Sequence, residues 1–138
     1  MDRIENDINQ ITHKIIGCSM KVHSILGNGF QEVIYQRALA IEFNLNGLVF
    51  KREMEMPIFY QNEQIGTRRV DFFVENSVML ELKAVEKIED VHKAQAIKYL
   101  EAYNIGDGLL INFGGLSREF KRLYNKKFIK PNSPLSNN

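Results

Sequence analysis

Between Arg68 and Lys83 the chain carries two apolar runs, Val70-Asp71-Phe72-Phe73-Val74 and Val78-Met79-Leu80-Glu81-Leu82-Lys83, on either side of the polar turn Glu75-Asn76-Ser77. Two strand-like runs with so short a link close as an antiparallel hairpin. The next residues constrain the sheet further. Ile88 to Tyr103 has apolar residues at helical spacing, Val91, Ala94, Ala96/Ile97 and Leu100. The fully apolar Leu109-Leu110-Ile111 with Asn112-Phe113 then follows Asp107-Gly108 as a buried strand. A strand, a helix and a strand in succession form a crossover, so the strands at 78–85 and 109–113 run parallel. One sheet must therefore hold both parallel and antiparallel pairs.

The rest of the chain supplies the helices that cover it. Ile4, Ile8, Ile11, Ile15, Cys18, Val22 and Ile25 alternate by four and three residues, one apolar stripe along a helix over 2–26 that Gly27 can end. A second helix is expected from Gln31 to Asn46, with Val33/Ile34, Ala38 and Ile41/Leu45 inward and Gly47 as its stop. Residues 48–60 and 65–75 flank a turn at Gln61-Asn62-Glu63-Gln64, and a last short strand falls at about 118–124. The order helix, helix, three antiparallel strands, helix, strand, strand predicts a mixed α/β (α+β) domain. It has a central mixed β-sheet flanked by helices. Residues 1–130 make the single domain and the polar 131–138 a flexible tail.

Composition narrows the function classes. A net charge of +1 gives no global attraction to nucleic acid, so an anionic partner must be met by a local patch or through a metal. The single cysteine, Cys18, allows no internal disulfide and suits a reducing compartment. Neither a transmembrane run nor a signal-peptide core is present, so the cytoplasm is the expected location and no membrane is a partner.

The charges on the hairpin carry the chemistry. With the turn centred on Asn76, Asp71 falls opposite Glu81, their Cβ atoms about 4.5–5.5 Å apart, and Arg69 falls opposite Lys83. Glu81 and Lys83 share one face of their strand while Leu80, Leu82 and Ala84 take the other. Two facing carboxylates repel, and a divalent cation between them turns the repulsion into binding. The alternative is a surface ladder of ion pairs, Asp71 with Lys83 or Glu81 with Arg69. The crossover helix favours the metal, because charges it covers must pair or bind an ion. Hard oxygen ligands suit Mg²⁺ or Mn²⁺, and a lysine one step on can orient an attacking water.

Other residues are weaker candidates. Glu32 lies in the first turn of the second helix, where the helix dipole alone would favour it, and Tyr35 points the same way three residues on. Gln95 and Tyr99 form a similar pair on the third helix. His23 and His92 lack metal-ligand spacing and are expected to be structural. Lys121, Arg122, Lys126, Lys127 and Lys130 are read as a solvated basic face.

Taken together these residues resemble a known family. Gly29-x-x-Glu32-x-x-Tyr35 looks like the signature of the bacterial GxxExxY proteins of the PD-(D/E)XK nuclease superfamily. Similarity extends from about Ile11 to Tyr124, through Val22-His23-x-x-Leu26-Gly27, Arg69-x-Asp71, Glu81-x-Lys83, His92-x-Ala94-Gln95-x-x-x-Tyr99-Leu100 and Gly108 to Phe113. Asn28 departs from it, standing where the family has proline. The resemblance implies a restriction-endonuclease-like core and a nuclease-type site more firmly than a substrate; the expectation drawn from it is a Mg²⁺- or Mn²⁺-dependent nuclease acting on nucleic acid, with DNA as the expected substrate. It implies Asp71 and Glu81 as metal ligands with Glu32 near the metal, Lys83 as the catalytic lysine and Gln95 in its support. Tyr35, Arg69 and Tyr99 would then touch substrate. A non-catalytic interaction or metal-binding module on the same fold is the rival reading, and a homodimer through the first helix a further one.

Overall fold

Helix periodicity gives way to strand alternation where the sequence changes period. The computed structural model describes residues 3–130, and for residues 3–6 the backbone alone. The elements are α1 (Arg3–Leu26), α2 (Glu32–Leu45), β1 (Phe50–Tyr60), β2 (Glu63–Val74), β3 (Val78–Lys83), α3 (Asp90–Ala102), β4 (Asp107–Asn112) and β5 (Glu119–Tyr124). The expected tail at 131–138, and Ile4 of the apolar stripe, lie outside the described side chains. Among the described residues no helix is long and apolar enough to cross a membrane.

The sheet is five-stranded in the order β1-β2-β3-β4-β5. β3 and β4 are parallel and the other neighbours antiparallel, as the crossover requires. The β1–β2 turn is tighter than the four residues expected. It is the pair Gln61-Asn62 at φ +47° and +69°, the left-handed geometry whose twist suits a two-residue hairpin. The β2–β3 register is the expected one, with Phe72 opposite Leu80 and Val74 opposite Val78.

Each face of the sheet has its own core. On one, Ile15, Cys18 and Val22 of α1 and Tyr35, Leu39 and Phe43 of α2 meet Phe72, Val74, Leu80, Leu82, Leu109 and Ile111. On the other, Ala96 and Leu100 of α3 meet Met56, Val70, Met79, Leu110 and Leu123. Two helical faces differ from expectation. On α2, Ile41 and Leu45 are 63% and 72% exposed and Val33 also faces outward, while Gln36 and Glu42 are buried. Glu42 is held there by Lys21 of α1 at 3.0 Å, a tertiary partner invisible to periodicity. On α3, Val91 and Ala94 face solvent; the inward side is Ala96 and Leu100. Ile25 of α1 is likewise exposed.

At the carboxyl end of β3 and β4 the two chains leave the sheet in backbone contact. A Cβ on Gly114 would lie 2.2 Å from the Val85 carbonyl oxygen, so only glycine fits. The fully buried Asn112 side chain sews the joint. Its Oδ1 accepts from Val85 N–H and Gly114 N–H at 3.0 Å each, and its Nδ2 donates to the Val85 carbonyl at 2.9 Å. The residue that ends β3, and so rests against this joint, is Lys83.

Candidate active site

The pleat of β2 breaks at Asp71. Val70 belongs to the core under α3 and Phe72, two residues on, to the core under α1 and α2. In a regular strand those two side chains would share a face. Across β1 the same level holds Glu53, at φ +53°. The β2–β3 ladder has its last pair at Phe72–Leu80. Beyond it the Asp71 side chain takes over: Leu82 N–H donates to Asp71 Oδ2 at 2.8 Å. Gln36 Nε2 of α2 donates to Asp71 Oδ1 at 2.9 Å. Asp71 thus lies in the seam where the strands part, not squarely opposite Glu81 as the extended register had it.

Glu81 sits on the α3 face between Met79 and Lys83 and is 3% exposed. Its Oε2 accepts from the Arg68 guanidinium at 2.9 Å, and that guanidinium lies 4.8 Å over the Tyr99 ring. Burial, and then the Asp71 charge, push the Glu81 carboxyl up to about 7, against the opposing pull of Arg68 and Lys83; Glu32 pushes the same way. Asp71, Glu32 and Lys83 are therefore within electrostatic reach of one carboxylate. A small cavity of about 10 Å³ is lined by Arg68, Glu81, Lys83, His92, Gln95 and Tyr99 among others. It has room for about one water.

The structure sorts the expected site residues. Glu81, Lys83, Gln95 and Tyr99 come together at this cavity, with Gln95 at its exposed rim. Asp71 does not line it but lies in the seam, bound to Leu82 N–H beside Glu81, and Glu32 stands exposed at the start of α2. Two residues lie elsewhere. Arg69 points the other way, to Glu55 at 3.4 Å and Glu53 at 3.8 Å on β1, and does not face Lys83. The break in the pleat gives its place to Arg68. Tyr35 has no exposed surface: its ring stacks on Phe113 at 4.5 Å and its hydroxyl donates to the Gly27 carbonyl at 2.6 Å. It braces the turn before α2 and forms no cleft wall. Of the histidines, His23 meets the Gly115 carbonyl at 3.2 Å. His92 accepts from Glu89 N–H at 2.9 Å, half of a capping box that starts α3. Both are structural, although His92 also borders the cavity. Asn28 reaches the Gly114 carbonyl at 3.3 Å and so ties its turn to the sheet without a proline.

Gln36 and Arg68 are functional candidates that the sequence did not disclose. A polar residue one turn after Glu32 was visible, but its burial was not.

The donor chemistry fits a hard divalent ion. Glu81 Oε1 is buried without a hydrogen-bond partner, beside a second carboxylate and in reach of an ammonium. Mg²⁺ needs one or two carboxylates and keeps several waters. Among the described residues no three acidic, imidazole or thiol groups gather as a full protein cage, so Asp71, Glu81 and Glu32 do not form a closed set of ligands.

A strand-borne acid and a Glu-x-Lys on the neighbouring strand thus sit on one mixed sheet between helices. The sequence profile of the PD-(D/E)XK nuclease superfamily matches residues 9–123. The chain belongs to that superfamily. A solved structure, the crystal structure of SSO0001, is similar in fold, with a TM-score of 0.51 and 19% identity over 66% of this chain and 48% of that one. The chain thus spans about half the length of that protein. None of the curated proteins matches it.

Proposed function

We propose that the chain is a Mg²⁺- or Mn²⁺-dependent nuclease of the bacterial GxxExxY branch, hydrolysing phosphodiester bonds of nucleic acid in the cytoplasm, with DNA as substrate. One observation carries this reading: a carboxylate buried beside another carboxylate, with one oxygen unpartnered and a lysine next to it on the same face. Asp71 and Glu81 would hold the ion, with Glu32 reaching it through water. When bound, the ion lowers the pKa of a water and offsets charge on a phosphate oxygen. Lys83 orients that water and stabilises the charge that builds on the phosphate. Gln95 at the rim hydrogen-bonds the substrate or the water, and Tyr99 holds the Arg68 guanidinium by its ring face. Arg68 offsets the Glu81 charge in the absence of the ion.

The test is cleavage of labelled DNA and RNA by purified protein with Mg²⁺, Mn²⁺ or a chelator. Cleavage that persists undiminished in Glu81→Ala or Lys83→Ala removes the assignment. A second reading, a non-catalytic metal-binding or interaction module, is favoured by the Arg68 ion pair on Glu81 and by a cavity of only about 10 Å³. Calorimetric Mn²⁺ binding with no cleavage of any nucleic acid would select it. Light scattering tests the homodimer.

A further inference from the structure

Five buried side-chain atoms lack a partner among the described residues, and three of them, Gln36 Oε1, Arg68 Nε and Glu81 Oε1, belong to or border this site. Gln36 is the least expected. It is 6% exposed, on a helix whose apolar Ile41 and Leu45 face outward. Its amide orientation is fixed by chemistry: a carboxylate offers acceptors only, so the NH₂ branch faces Asp71 and the carbonyl oxygen takes the other branch. That oxygen is left buried and unsatisfied. A buried acceptor without a donor is unfavourable, and a methionine would fill a similar volume without one. Four residues before it on the same helical face stands Glu32, and Gln36 on that face meets Asp71 at 2.9 Å. The α2 face with Glu32 and Gln36 is therefore turned to the seam that holds Asp71.

We propose that Gln36 is a positioning residue of the metal centre, its Nε2 fixing the Asp71 carboxylate and its buried Oε1 an acceptor that the loaded centre would satisfy. The proposal rests on the metal-dependent reading above. Asp71 is then aimed from two sides, by Leu82 N–H on Oδ2 and Gln36 Nε2 on Oδ1, and each oxygen keeps a lone pair for the ion. Supports of this kind typically change metal affinity about 10–100-fold when removed.

The experiment is Mn²⁺ titration calorimetry on the full chain, wild type against Gln36→Met and Gln36→Glu, with melting curves at zero and saturating Mn²⁺. Gln36→Met is expected to bind Mn²⁺ at least about tenfold more weakly. Gln36→Glu sets a third carboxylate against Asp71. It is expected to melt lower than wild type without the ion and to show a larger ion-induced rise in melting temperature. A residue that only filled space would lower melting equally with and without Mn²⁺, and that outcome overturns the proposal. Wild-type affinity in Gln36→Met overturns it too, and leaves the metal reading standing. No Mn²⁺ binding by the wild type brings down both. Should Gln36→Met fail to fold, the melting of Gln36→Glu decides alone.

Discussion

The two faces of the central sheet are built from the same five strands and serve opposite ends. Under α1 and α2 the centre of the contact is aromatic, with buried polar groups such as Gln36 and Glu42 bonded at its margins. Phe43, Phe50 and Phe72 pack edge to face at 5.0–5.6 Å, and Tyr35 lies flat on Phe113. Under α3 the core is smaller, and it admits Arg68, Glu81 and Lys83 at its edge. One face supplies cohesion, and the other spends part of it on charges that would be more stable in water. Asp71 sits where the strand crosses from one regime to the other.

Four perturbations break or sharpen that contrast. Phe72→Ala should cost the most, about 3–5 kcal/mol of stability, because it opens a cavity in the aromatic layer; denaturant unfolding measures it. A cost below about 1 kcal/mol would mean the two faces do not differ as described. Lys83→Ala should leave melting near wild type and lower cleavage by about 10²–10³-fold, the effect of losing one preorganised charge at a reacting centre. The third concerns pH. Glu81 titrates at about 7 when folded against 4.5 as a free side chain, so the folded chain binds the extra proton between those values. Its contribution is complete below pH 4.5 and is lost as pH rises through 7, on the order of 3 kcal/mol in all. Urea unfolding without divalent ions should show that decline, and Glu81→Gln should flatten it. The smallest effect belongs to Arg69→Ala. Its pairs with Glu53 and Glu55 are exposed, so stability should move by less than about 0.5 kcal/mol and cleavage should not change.

Much of this was readable in the residues. The turn at Asn76 and the alternation on either side set the β2–β3 register, and the crossover forced β3 and β4 parallel. Glu81 and Lys83 share their face because strands alternate, which needs nothing beyond local sequence. What escaped depends on distant partners. Asp71 leaves the alternation because Leu82 N–H and Gln36 satisfy it in the seam, and this one shift exchanges Arg69 for Arg68. On α2, Gln36 and Glu42 turn inward because Asp71 and Lys21 await them there, a fact no periodicity on that helix contains. Tyr35 appeared beside Glu32 on a helix face, but the ring of Phe113, far along the chain, claims it.

The stitch of Asn112 and Gly114 against Val85 has a mechanical corollary. It ties the strand end that bears Lys83 to its parallel neighbour by side-chain as well as ladder hydrogen bonds, so the backbone from which the ammonium extends is anchored twice. On the proposed reading, a phosphate would meet that ammonium from the α3 side, where Gln95 and Tyr99 border the cavity.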